Sequence, residues 1–271
     1  VKLKEVFYMI GLKPKPRRYG YEIRQFELEE YGLVKYAQWL HPSESEKVIK
    51  VDVIRELRSF LNRGDFCIDI GAHTGDTTIP ISLAVGKKGC VLALEPNEYV
   101  YPLLEKNSKL NVEKTNIIPL MVAAASQDGD LEFGYSDCGF CNGGLFEGIS
   151  KWKHGHVFKL KVRGINLSYK LRQDYSKWLE KLKFVKIDVE GYDLSVIKSI
   201  SDIIEEFSPF VETEVYKNTT LEYRKEMYEF FNSKGYSIYK VNADNHLKGF
   251  KIVEKDLMKW KHYDIFCIPR S

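Results

Sequence analysis

Apolar positions along the chain fall into two rhythms. Short runs such as FCIDI, CVLAL, KFVKI and FVETEV are apolar continuously or at every second residue, as strands are. The stretches between them set apolar residues three or four apart, as amphipathic helices do. From Phe66 the order reads strand FCIDI, a helix from Asp76, strand CVLALEP, helix EYVYPLLEKNSKLN and strand NIIPLMVAA. Strands apolar on both faces and alternating with helices predict an α/β fold. Its sheet is mostly parallel, covered on both sides and linked by right-handed crossovers in a Rossmann-like, doubly wound order.

DLEFGYSD, the Gly-rich bend CGFCNGG and HVFKLKVRGINL predict a β-rich flap inserted at residues 130–168. KLKFVKIDVEG returns to the sheet, followed by a helix with Leu194, Ile197 and Ile200 on one side. SPFVETEVY is a further strand, and EYRKEMYEFFNSKG a helix ending at Gly235. No periodic helix separates YSIYKVN from YDIFCIP, which predicts an antiparallel pair at the C-terminal edge. Ahead of the sheet, YEIRQFELEEYGLVKYAQW predicts a hairpin broken at Gly32. Val48, Val51, Ile54, Leu57 and Leu61 then predict a helix stopped by Gly64. Residues 1–64 therefore read as an extension packed on a main domain of residues 65–271.

Composition narrows the function classes. The 271 residues are 44 % hydrophobic and 29 % charged, an ordinary globular balance that excludes a disordered chain. Lys and Arg total 41 against 38 Asp and Glu, and a net charge of +3 gives no reason to expect a nucleic-acid partner. The one basic run, GLKPKPRRYG, reads as a solvated arm. No stretch approaches the roughly 20 apolar residues of a membrane span, and no cleavable leader is recognisable, so a cytoplasmic location is expected. Five cysteines at irregular spacing do not form a secreted disulfide framework. A small-molecule or glycan acceptor is the expected partner, and a homodimer is compatible with the chain.

The turn after the first strand of the sheet, DIGAHTGDTTIP, decides the ligand class. A dinucleotide fingerprint starting at Gly71 would require glycines where His73 and Asp76 stand, and the Walker spacing with its Lys-Ser/Thr is absent. An aspartate in the slot of a phosphate-binding helix start would repel pyrophosphate. What remains is D-x-G-x-x-x-G, which suits a zwitterion. Asp69 can attract an ammonium group, and backbone N–H groups near Gly71 to Thr77 can bind a carboxylate at the positive end of the helix. Glu95, about 20 residues further on at the next strand end, is placed to accept both hydroxyls of a ribose. An amino acid joined to a ribose is S-adenosylmethionine. The bland alternative is ordinary turn chemistry at a strand end.

DIGAHTGDTT, ALEPN and above all FVKIDVEGYDLSVIKS resemble the FkbM-type family of S-adenosylmethionine-dependent methyltransferases, in order, over residues 65–216. The resemblance implies a class I methyltransferase fold and O-methylation of a hydroxyl on a sugar, glycan or similar metabolite. It assigns Asp69, Gly71, Gly75 and Glu95 to the cofactor, with Ala72, His73, Thr74, Asp76, Thr77, Pro96 and Asn97 in the same pocket. Ala123 and Ala124 fall where the family contacts adenine. Many class I enzymes have Asp or Asn there, so the alanines leave backbone groups or a neighbour to read the base.

Asp188, at the carboxyl end of the fourth sheet strand, is the candidate base that removes the proton of an acceptor hydroxyl. Glu190 and His246 are further catalytic candidates, with His73 an alternative base. Period two puts Glu212 and Glu214 on one strand face, where they are candidates for substrate contact or, with Asp188, for a hard divalent cation. No motif requires a metal, and none is assigned. Asn142 in the Gly-rich bend is a candidate contact for a hydroxyl-rich acceptor. Cys138-x-x-Cys141 with His154 and His156 does not meet zinc-finger spacing. Tyr135, Phe140, Phe146 and Trp152 would suit stacking on sugar rings, or a core. Rival readings are a nicotinamide oxidoreductase and a non-catalytic binding module on the same fold. A nucleic-acid methyltransferase lacks its N-P-P-Y signature and a basic groove.

Overall fold

The computed structural model describes residues 14–135, 137–141, 143–144, 158–242 and 247–270. Asn142, Phe146, Trp152, His154, His156 and His246, together with the start of the basic run, lie outside them.

An antiparallel ribbon comes first, β1 (Tyr21–Leu28) and β2 (Gly32–Trp39). Its turn uses Gly32 at φ 61°, a left-handed conformation that glycine adopts without steric cost. The helix α1 (Val51–Arg58) buries Ile54 and Leu57. It is shorter than the periodicity predicts, and Val48 is exposed. The cause is local: Gln38 on β2 accepts from the backbone N–H of Lys47 and donates to the carbonyl of Ser45, holding this segment out of the helix.

The main sheet then opens with β3 (Phe66–Ile70), α2 (Thr78–Val85), β4 (Cys90–Leu94), α3 (Tyr101–Leu110) and β5 (Ile117–Leu120). Asn107 of α3 and Asn111, the residue just after it, reach the free edge of β2, each bonding both the N–H and the C=O of one residue there, Ala37 and Lys35 respectively. That edge is thereby satisfied as another strand would satisfy it. α2 starts at Thr78 rather than Asp76, because the preceding residues form the turn described below. All eight of its residues are buried. Pro119 is tolerated in β5 because this strand is the sheet edge.

The single strand predicted over NIIPLMVAA is two. β4 ends at Leu94, opposite Leu120, so the chain has no partner beyond that point. β6 (Ala123–Ala125) turns away and joins a second sheet with β7 (Gly129–Tyr135), β8 (Gly143–Gly144) and β9 (Phe158–Asn166), in the order β6-β9-β7-β8. Tyr135, Phe140 and Phe158 form the buried core of this second sheet, so two of the proposed stacking aromatics are packing residues.

The chain returns through α4 (Leu167–Asp174) and α5 (Ser176–Leu179) to β10 (Leu182–Ile187). Two short helices, α6 (Asp193–Ser199) and α7 (Ser201–Phe207), lead to β11 (Phe210–Val215), α8 (Leu221–Ser233), β12 (Tyr236–Lys240) and β13 (Tyr263–Pro269). The seven strands lie in the order β12-β13-β11-β10-β3-β4-β5. β13 is antiparallel to both neighbours and the pairs from β11 to β5 are parallel, which is the expected Rossmann-like sheet with its antiparallel C-terminal edge. One face packs Phe66, Ile68 and Ile70 against α4 to α8; the other packs Cys67, Val91 and Phe184 against α1 and α2. Among the described residues no helix is long and apolar enough to cross a membrane.

Candidate active site

The carboxyl ends of β3, β4 and β10 meet the small sheet around a cleft of about 350 Å³. Its floor is the turn after β3. Gly71 has φ 83°, and its N–H and that of Ala72 both donate to the carbonyl of Leu94 (3.0 and 2.9 Å). A methyl group at Gly71 would overlap the carbonyl oxygen of Asp188, with the carbonyl carbon at 2.9 Å. Glycine is therefore required twice over, by dihedral and by space. His73 follows at φ 48° and donates its N–H to Glu95 Oε2 (3.0 Å), while Glu95 Oε1 accepts from Asn97 N–H (2.8 Å). Glu95 thus clamps the two loops that form the cleft wall and keeps one lone pair on each oxygen. Burial raises its carboxyl above the usual range, tempered by His73 and the two backbone donors.

Ten of the thirteen residues assigned to the cofactor line the cleft: Gly71, Ala72, His73, Asp76, Thr77, Glu95, Pro96, Asn97, Ala123 and Ala124. Asp69, Thr74 and Gly75 do not. Strand alternation turns Asp69 to the α2 side, where it is wholly buried and accepts from Thr77 Oγ1 (3.0 Å) and Thr78 Oγ1 (2.6 Å). The expectation that it faces the cleft beside Glu95 is corrected: Asp69 ties the start of α2 to β3. Thr74 is buried against Tyr36 Oη (2.6 Å), and Gly75 shapes the turn at φ 92°.

Asp188 and Glu190 line the cleft from the opposite side. Glu190 sits at φ 57°, followed by Gly191 at φ 100°. A non-glycine residue in that region marks a backbone held by its surroundings. The holder is Asp193, wholly buried, whose carboxylate accepts from Gly191 N–H (3.0 Å) and Val189 N–H (3.4 Å). Lys186 Nζ lies 2.9 Å from Asp188 Oδ2. Enclosure pushes the Asp188 carboxyl up, but the Lys186 ammonium more than offsets this and holds it below the usual carboxylate range. Enclosure, then the Asp188 charge, raises that of Glu190.

Glu212 lines a second cavity, of about 480 Å³, and Glu214 lines neither. Asp188, Glu212 and Glu214 do not converge on a point where a cation could sit. Among the described residues the one group of three metal-ligating side chains with atoms within 4.8 Å of one another is Glu44, His73 and Cys141. The candidates Asn142 and His246 lie outside the described residues.

The acid cluster has a consequence for pH. Burial pushes the carboxyls of Asp193 and Glu212 up to about 7 and that of Glu214 up to about 9. Each binds its proton more readily in the folded than in the unfolded chain, so each contributes stability that is present in acid and lost as pH rises through the shifted value. The melting temperature is expected to fall from pH 5.5 to pH 9, and Glu214→Gln to flatten the upper part of that fall. Circular dichroism melts across the range check this; a flat or rising profile contradicts it.

Three groups of cleft residues escaped the sequence. Glu44 and Lys47 enter from the segment before α1, which carries no motif. Glu44 and Lys47 form an ion pair (3.4 Å), and Lys47 also reaches Asp76 (2.9 Å). Leu131 and Phe133 come from β7 of the inserted sheet and Cys141 from the loop after it, where aromatic content and the Cys138-x-x-Cys141 spacing were the only signals. Lys186 was hidden as one polar residue in an apolar strand.

The family model of the methyltransferase FkbM domain matches residues 69–238. Among solved structures, the methyltransferase FkbM from Methylobacillus flagellatus KT is similar over 76 % of this chain and 44 % of its own, at 14 % identity and a TM-score of 0.45. This chain thus spans less than half of that protein's length. Aeropyrum pernix fibrillarin, in complex with natively bound S-adenosyl-L-methionine, is similar over 94 % of this chain and 97 % of its own, at 13 % identity and a TM-score of 0.44. A SAM-dependent O-methyltransferase from Thermotoga maritima is similar over 92 % and 78 %, at 14 % identity and a TM-score of 0.42. No curated protein matches the chain.

Proposed function

This chain belongs to the FkbM methyltransferase family, and on that premise we propose that it uses S-adenosylmethionine to methylate a hydroxyl of a sugar or glycan. The observation that carries the reading is Glu95, a buried carboxylate at a strand tip with a lone pair left on each oxygen, facing Asp188 across one cleft. The cleft suits the cofactor: a diol acceptor in Glu95, small side chains at Ala123 and Ala124, and apolar walls from Leu131 and Phe133 for a flat heterocycle. Glu44 offers a negative charge to the ammonium of an amino acid, the role expected of Asp69, and Lys47 a positive charge to its carboxylate.

When bound, the cofactor supplies an electrophilic methyl group on a sulfonium. The residues of this chain orient the acceptor and take its proton. Asp188 would take the proton that the acceptor hydroxyl gives up on methylation. With its carboxyl held low by Lys186, Asp188 is a weak base, so the proton moves late, once the oxygen has become strongly acidic. Glu190, with its raised carboxyl, is the better acceptor of a hydrogen bond from the same hydroxyl. No divalent cation enters this scheme.

Calorimetric titration with S-adenosylhomocysteine tests the reading. The protein is expected to bind it and not NAD(P). Glu95→Ala is expected to weaken binding about 100-fold, as two charge-assisted hydrogen bonds of about 1.5 kcal/mol each are lost. A folded protein with no affinity for S-adenosylhomocysteine would exclude the proposal.

A further inference from the structure

One wall of the cofactor cleft carries a chemistry that methyl transfer does not use. Glu44 from the segment before α1, His73 from the turn after β3 and Cys141 from the loop after β7 meet there. Cys141 Sγ lies 3.7 Å and His73 Nε2 4.0 Å from the same oxygen, Glu44 Oε2, and the three ligand atoms all fall within 4.8 Å of one another. With bonds of about 2.3 Å to sulfur and about 2.0–2.1 Å to nitrogen or oxygen, a tetrahedral zinc ion holds its ligands roughly 3.3–3.6 Å apart. Closing this set takes a movement of about 1 Å, within reach of the partly exposed His73 ring.

Each of the three is positioned from behind. His73 Nδ1 lies 3.5 Å from Thr74 Oγ1, which in turn is 2.6 Å from Tyr36 Oη, and Thr74 and Tyr36 are wholly buried. With Nδ1–H donating to that hydroxyl oxygen, Nε2 keeps its lone pair for an ion. The N–H of Cys141 donates to Asp137 Oδ1 (3.2 Å), which fixes the loop that carries the thiol. The Glu44 side chain is 5 % exposed, yet its Oε1 accepts no hydrogen bond among the described residues. Lys47, 3.4 Å from that oxygen, is nearer to Asp76 (2.9 Å).

We propose that Glu44, His73 and Cys141 bind a divalent ion of the zinc class, and that this ion competes with the cofactor for Glu44. A thiolate, an imidazole and a single carboxylate select such an ion over Mg²⁺ or Ca²⁺, which take oxygen donors. As sulfur bonds the ion, the S–H proton of Cys141 passes to solvent. The ion's charge is then met by one thiolate and one carboxylate, while Lys47 stays with Asp76. Three protein ligands leave a fourth position open toward the cleft. The ion site stands on its own geometry; the competition rests on the methyl-transfer reading, in which Glu44 meets the ammonium of the cofactor.

Titrating the metal-free protein with Co²⁺ tests the site, because a cobalt–thiolate bond gives a charge-transfer band in the near ultraviolet. The band is expected to form, to vanish when Zn²⁺ displaces Co²⁺, and to be untouched by Mg²⁺. Cys141→Ser is expected to lose it, and Glu44→Gln to weaken Co²⁺ binding at least about tenfold, while Cys138→Ser keeps both band and affinity. With free Zn²⁺ at about ten times its own Kd, the Kd for S-adenosylhomocysteine is expected to rise about tenfold in the wild type. No such rise is expected in Cys141→Ser, whose folding circular dichroism reports. The proposal is overturned if no band forms, if Cys141→Ser keeps it, or if Zn²⁺ leaves a measurable S-adenosylhomocysteine affinity unchanged. A cobalt band in a protein that does not bind S-adenosylhomocysteine would instead sink the methyl-transfer reading and uphold the ion site.

Discussion

Gly71→Ala is expected to lower the melting temperature by about 10 °C and to abolish S-adenosylhomocysteine binding. The left-handed dihedral alone costs a non-glycine residue about 1–2 kcal/mol. The added methyl group also meets the backbone carbonyl of Asp188, which cannot rotate aside as a side chain would, because the N–H of Asp188 is bonded to Ile70 (2.9 Å). Overpacking of this kind costs a further ~1–3 kcal/mol. At about 2–4 °C per kcal/mol for a domain of this size, the two together give the stated shift. Gly235→Ala separates the contributions. Gly235 has φ 80°, yet a methyl group there meets nothing within 4 Å, so that variant should lose only the dihedral part and keep its ligand. Thermal melts and calorimetry on both proteins check the pair; normal ligand binding by Gly71→Ala would show that the turn yields.

Lys186→Met is expected to cost about 3–5 kcal/mol of stability at pH 8, the usual loss when one partner of a buried charge group is removed. Lys186 is 9 % exposed and stands among Asp69, Asp188 and Glu212. Asp188 is half exposed and will be screened by water, so the cost comes mainly from Asp69 and Glu212. Without the ammonium, their carboxyls rise further above the ordinary range. The penalty is therefore smallest in acid, where they are protonated, and grows as pH rises. Urea denaturation at pH 5.5 and pH 8 should show the variant closer to wild type in acid, and Glu212→Gln added to it should restore part of the loss. An equal loss at both pH values would mean that packing, not charge, is what Lys186 contributes.

The alternation of strands and helices was legible because apolar runs and periodic stretches are local signals, and so was the turn at Gly71, because its glycines and acid are contiguous. Pairing choices were not. NIIPLMVAA has the composition of one strand, and it divides only because β4 stops at Leu94 and leaves the second half without a neighbour. The helix predicted from Val48 is cut short by Gln38, ten residues earlier, whose amide competes for the backbone. Asp69 sits at the right strand end, but the direction of its side chain depends on the pleat of β3, and one residue of register separates the cleft from the α2 face. Glu44 and Lys47 reach the cleft through the docking of β2, a tertiary event that no motif near them announces. Glu212 and Glu214 share a face as period two predicts, yet the wall formed with β13 gives only Glu212 a cavity.

The last strand, β13, lies between β11 and β12 instead of outside them. During synthesis, therefore, both of those strands wait with an open edge until residues 263–269 have left the ribosome. The wall of the second cavity contains Tyr263 and Asp264, so that pocket cannot close before this strand has docked. Nascent chains arrested before this point should be protease-sensitive and prone to pair their exposed edges with one another.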